Sequence, residues 1–175
     1  MPTYQRCPTD INDLSLQILC EFESHKPLLD AKVKIDFVFA MGDVNEKTGE
    51  IISDAIVKNG VKALGLARKL SLKDRAMGRG DAEVTLDRDH WMKISEDEQR
   101  ALLDHELHHL SVKSDKRGLV RDDLGRPVIV IRDHDYEFGW FRIIAERHGR
   151  ASIERQQASV MLSESGQLFW PALTK

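Results

Sequence analysis

The chain has 175 residues, enough for one domain with its own core, and its 41% hydrophobic and 31% charged residues are the balance of a water-soluble globular protein. A net charge of −3 gives no general attraction to nucleic acid or to an anionic membrane. No apolar run approaches the roughly 20 residues of a membrane span, the opening MPTYQRCPTD lacks the apolar centre of an export signal, and Cys7 and Cys20 fit no zinc-knuckle spacing, so reduced thiols in a cytoplasmic compartment are expected.

In chain order, Ile11, Leu14, Ile18 and Phe22 recur at helical spacing and predict an amphipathic helix over 10–24, capped by Asp10 and ended before Pro27. Cys20 reads as a core residue of that helix and His25 as a surface histidine. Residues 32–40 alternate, with Val33, Ile35, Phe37 and Phe39 on one face of a half-buried strand. GDVNEKTGE at 42–50 is a turn or exposed loop. Residues 51–71 are ambiguous: IISDAIV fits a short helix or a strand, Asn59-Gly60 signals a turn, and VKALGLARKL fits a second strand. KDRAMGRGD at 73–81 reads as a basic, solvated loop rather than a wall of a substrate groove. Residues 82–88 alternate again, Val84 and Leu86 pointing inward. If this strand lies at a sheet edge, an extended peptide can add to it through backbone hydrogen bonds. His90 reads as an ordinary strand-end residue.

Ser95 and Glu98 form the capping box S-x-x-E, which starts a helix near residue 96. Leu103, Leu107 and Leu110 make one apolar stripe along it. His105 and His109, four residues apart, share the other side and can offer two imidazole nitrogens to one ion. With Glu106 they spell H-E-x-x-H. Glu106 projects about 100° round the helix from His105, beside such an ion rather than onto it. Zinc acidifies water to a pKa of about 7, and a carboxylate within reach can take the proton. Glu106 and His109 also spell the E-x-x-H unit of di-iron bundles, but those need the unit twice and the chain has it once, so a single ion is expected.

A polar connection follows, then the short apolar strand Val128–Ile131, then R-D-H-D-Y-E-F. A helix is expected from there to about His148, packing Phe138, Phe141, Ile144 and Ala145 and stopped by Gly149. A last amphipathic helix spans 150–164, and the tail with Leu168, Phe169, Trp170 and Pro171 is expected to pack on the domain. No repeat or inter-domain linker interrupts 1–175, so a single domain is expected.

A catalytic zinc takes three protein ligands and keeps one position open. His134, where a strand meets a helix, is the first candidate for the third ligand and Glu137 the second; His108 points away from the His105–His109 seam, and His148 at a helix C-terminus needs no metal to explain it. If His134 binds, Glu137 can support it from behind. Asp133 or Asp135 can orient a ligand imidazole by accepting its other N–H. Tyr136 or Arg132 can stabilise the oxyanion of a tetrahedral intermediate.

The segments LKDRAMGRGDAEVTLDRDHW, ALLDHELHHL, RPVIVIRDHDYEFGWFRIIAERHG and GQLFWP resemble the phage-associated zinc metallopeptidases, over most of the chain. The order of H-E-x-x-H, strand and H-D-x-E-F is also similar to the SprT-like peptidases, whose third ligand is the histidine of an H-G-x-x-F segment. The resemblance implies His105, His109 and His134 as ligands of one Zn²⁺ and Glu106 as general base. Asp135 departs from the glycine of the wider group. The implied fold is α+β and zincin-like, a small twisted mixed sheet against the active helix and C-terminal helices. The implied activity is zinc-dependent peptide hydrolysis in the cytoplasm (of the host cell, for a phage protein), on a protein or peptide of host or phage origin. The alternative is a catalytically silent, metal-stabilised regulator of a host factor. A nucleic-acid-linked peptidase is a further rival, resting on the local cluster Lys69, Lys73, Arg75 and Arg79, although the overall acidity argues against DNA binding.

Overall fold

A computed structural model of the chain describes residues 2–45, 47–58, 60–134 and 141–164. In chain order these form β1 (Thr3–Arg6), α1 (Thr9–Glu21), α2 (Lys26–Asp30), β2 (Ile35–Met41), β3 (Val57–Lys58), β4 (Val61–Lys62), β5 (Gly65–Lys69), α3 (Leu72–Ala76), β6 (Ala82–Asp87), α4 (Arg88–Trp91), α5 (Glu96–His108), β7 (Leu110–Val112), β8 (Ser114–Asp115), β9 (Gly118–Leu119), β10 (Ile129–Ile131), α6 (Arg142–His148) and α7 (Ile153–Glu164). The fold is α+β. None of the described helices is long and apolar enough to cross a membrane.

The main sheet is small and mixed, in the order β1-β2-β6-β5. β2 and β6 run parallel, Ile35 opposite Ala82 through Ala40 opposite Asp87, while β1 and β5 are antiparallel to their neighbours. One face carries Phe37, Phe39, Ala67, Val84 and Leu86 into a core shared with Ile11 and Ile18 of α1 and Leu102, Leu103 and Leu107 of α5. This burial, worth about 1.5–3 kcal/mol per large apolar side chain, fixes α5 against the sheet. The stripe expected at Leu103, Leu107 and Leu110 is fully inside.

Several expectations need correction. The strand at 82–88 is not an edge: β6 pairs with β2 on one side and β5 on the other, so a peptide cannot add to it. Alternation suggested a half-exposed strand, yet all six residues of β6 are buried, the polar Glu83 with its charge met by Arg68 and Arg79 on the second face. Among the described strands the edge on that side is β5. The 73–81 segment is not a solvated loop either. Ser71 caps α3 with Asp74 in a capping box, and Arg75 is buried between Asp81 and Asp122, donating also to the Pro127 carbonyl. The supposed basic cluster is thus partly spent in internal ion pairs. Cys20 is exposed and His25 buried, the reverse of expectation, since Asp104 supplies His25 with a partner inside the protein. Asp10 lies inside the first turn of α1, whose N-cap is Pro8. The described residues of the 51–71 stretch form β3, β4 and β5, with no helix among them. The polar connection after α5 contains β7 and the β8–β9 hairpin. The expected tail packing at 165–175 lies outside the described residues.

Candidate metal centre

The capping box at Ser95 and Glu98 forms as expected and starts α5 at Glu96. His105 therefore lies in the last turn of α5, and His109 is its C-cap residue. Directly beyond, β7 turns the chain into an antiparallel pair with β10, Leu110 opposite Ile131. That pairing carries the chain back to the helix end, where Arg132 N–H donates to the His109 carbonyl (2.7 Å). His134 is thereby brought to His105 and His109, from 29 and 25 residues away in sequence. Ligand atoms of the three rings lie within 4.8 Å of one another.

The rings are oriented from behind. His105 Nδ1 is 2.6 Å from Glu154 Oε1 of α7, and His109 Nδ1 donates to the Arg132 carbonyl at 2.7 Å. Both bonds leave the Nε2 lone pairs facing the common centre. The Nε2 atoms of His105 and His134 are 3.2 Å apart. Two nitrogens each about 2.0–2.1 Å from a tetrahedral zinc would sit about 3.3 Å from one another, so the residues present fit such an ion. Phe141, fully buried, lies against all three rings at centroid distances of 5.1, 4.8 and 5.0 Å. Burial, joined by the charges of His105 and Lys58, depresses the His134 pKa, and burial pushes His109 down to about 4, so both are neutral ligand forms near pH 7. At His105 burial works the same way, but Glu154 and Glu106 outweigh it and raise the pKa.

Glu106 faces the same space. A cavity of about 200 Å³ is lined by Glu106 and the three histidines, with Gly65 and Ala67 of β5, Lys58 and Glu154. Burial lifts the Glu106 carboxyl to about 7 against the opposing pull of His105 and Lys58, and its Oε2 is buried without a hydrogen-bond partner. Gly65 makes the room: a Cβ there would stand 2.7 Å from Glu106 Cδ.

The other candidates separate clearly. His108 is buried away from the cluster, its Nε2 2.9 Å from Arg132 Nη1 and its ring against Phe141. Burial and the Arg132 charge lower its pKa to about 4. The Arg132 guanidinium thus lies at His108, while its carbonyl accepts from His109. His148 bonds Asp104 (2.7 Å). Asp133 is exposed and acts on His134 through its charge, while the orienting bonds at His105 and His109 are filled by other groups. Asp135, Tyr136 and Glu137 lie outside the described residues. Glu154 was not foreseen, because nothing in its spacing distinguishes it from a surface glutamate of a last helix. Gly65 did carry a signal, since a glycine inside a strand often marks close approach of another group.

No curated protein and no solved structure matches the chain. A protein-family model described as "Putative phage metallopeptidase" matches residues 3–162, which include every residue of the centre. The chain belongs to that family of phage metallopeptidases.

Proposed function

We propose that the protein is a zinc-dependent peptidase with one ion held by His105, His109 and His134 and with Glu106 as general base, in a single zincin-like domain. What carries the reading is the convergence of three imidazoles on one point beside a buried carboxylate oxygen that has no partner. A zinc ion there supplies Lewis acidity, acidifying water and polarising the scissile carbonyl. Glu106 takes the proton of the attacking water and delivers it to the leaving amine nitrogen. Glu154 and the Arg132 carbonyl hold the rings in the tautomer that presents Nε2. Phe141 walls one side of the rings with an apolar surface. A cytoplasmic protein or peptide of host or phage origin is the substrate class. A silent regulator, the alternative, calls for a closed site with a fourth protein ligand; among the described residues the cluster stops at three.

The test is to measure metal content and peptide hydrolysis for the wild-type protein and Glu106→Gln. The variant is expected to keep one equivalent of zinc and to lose hydrolysis by at least about 100-fold, the lower end for a general base. Undiminished hydrolysis would remove Glu106 from the mechanism, and a wild-type protein that takes up no metal would remove the centre itself.

A further inference from the structure

The β3–β4 hairpin stands over the metal cavity, and its two lysines have different surroundings. Val57 pairs with Lys62 and Lys58 with Val61. Neighbouring residues of a strand point to opposite faces, so Lys58 and Lys62 lie on opposite faces of the hairpin. Lys62 is tied down on its side, its Nζ 3.5 Å from Asp54 and 3.8 Å from Asp87 of β6. Both lysines line the cavity that holds the three histidines and Glu106, but among the described residues only Lys62 is within ion-pair distance of a carboxylate, which leaves the Lys58 ammonium for a ligand. Its charge is felt at Glu106, His109 and His134 alike. Glu154 is bonded to His105, and Glu106 is buried beside the rings.

We infer that Lys58 is a specificity residue that recruits a carboxylate of the bound peptide, so that the site favours substrates acidic close to the scissile bond. This rests on the peptidase reading for its setting, although the recognition itself is a binding event. A neutral peptide offers the ammonium no ion-pair partner, whereas an acidic one supplies a carboxylate and is drawn in by the same field. The carboxylate can belong to a Glu or Asp side chain or to the free end of a peptide chain. Because Lys58 is exposed, the gain is that of a rim ion pair, about two- to five-fold in affinity.

The experiment uses zinc-loaded Glu106→Gln protein, which holds peptide without turnover, and fluorescent decapeptides. One position at a time is Glu, Gln or Lys, each with a free or an amidated C-terminus. Glu peptides are expected to bind about two- to five-fold tighter than their Gln partners. The preference should vanish when Lys58→Gln is added and turn toward Lys peptides when Lys58→Glu is added. A preference that follows the free C-terminus instead of the side chain identifies the terminal carboxylate as the recognised group. Equal binding of all peptides, or no binding by any, overturns the proposal. Hydrolysis by the wild-type protein is scored separately. Its absence would sink the peptidase reading while the binding series still decides on Lys58, and hydrolysis blind to charge would sink Lys58 alone.

Discussion

Each imidazole of the centre has two nitrogens, and both need a defined partner if one of them is to meet a cation. At His105 the rear partner is Glu154, less than a tenth exposed and 2.6 Å away. A carboxylate in that place fixes the ring's direction, sets the tautomer and makes Nε2 more basic. Glu154→Ala is therefore expected to weaken zinc binding about 10–100-fold. Glu154→Gln keeps an acceptor oxygen without the charge and should recover part of the loss. Competition against a chromophoric chelator reads both variants, and an affinity unaltered in Glu154→Ala would reduce the residue to a packing role. His109 depends instead on the main-chain carbonyl of Arg132. No side-chain substitution can delete that oxygen, so the two rings differ in how exposed they are to mutation.

At the scale of elements, α5 and β5 both line the cavity, and at Gly65 the strand leaves no room for a side chain beside Glu106. The Gly65 backbone lies against the Glu106 side chain, so Gly65→Ala must push the carboxylate aside or spread the strand from the helix. The three atoms nearest to a side chain there all belong to Glu106, none to a histidine. The expected result is a protein that still binds one zinc but hydrolyses peptide at least about 10 times more slowly, as small misplacements of a reacting group do. Steady-state kinetics beside metal analysis checks this, and full activity would mean that Glu106 has room to spare. Local features were legible in the sequence: the capped start of α5, its leucine stripe, the alternation of β2 and β6, and Gly149 closing α6. The spacing of H-E-x-x-H was enough to place His105, Glu106 and His109, because one helical turn decides it. Contacts spanning long stretches were not legible. Neither the bond between residues 105 and 154 nor the insertion of β6 between β2 and β5 leaves a periodic trace, and Glu83 reads as exposed until Arg68 and Arg79 are seen to neutralise it.

On the scale of the whole molecule, Asp104, the residue before His105, joins the far parts of the chain. Asp104 is fully buried and takes His25 Nε2 at 2.6 Å, His148 Nε2 at 2.7 Å and Arg147 Nη1 at 3.2 Å. Burial alone would raise its pKa, but the His148 and His25 bonds and the Arg147 charge outweigh this and hold it well below the usual carboxylate range. Arg147 also lies over the Phe22 ring, 4.2 Å from its centroid, and donates to Ser24 Oγ at 2.7 Å. One carboxylate thus ties the segment after α1 and the end of α6 to the helix that carries the centre. Removing one partner of a buried ionic group is expensive because the others are left uncompensated, typically by about 3–5 kcal/mol. Asp104→Ala should therefore lower the melting temperature by roughly 10 °C for a chain of this length. The comparison belongs in chelator, with metal absent from both proteins, so that a lost ion cannot imitate a lost clamp. A shift under about 2 °C would show that the apolar core holds these helices without help. A large shift in chelator would show that the scaffold around the centre is set before any ion arrives, which is the order that preorganised ligands require.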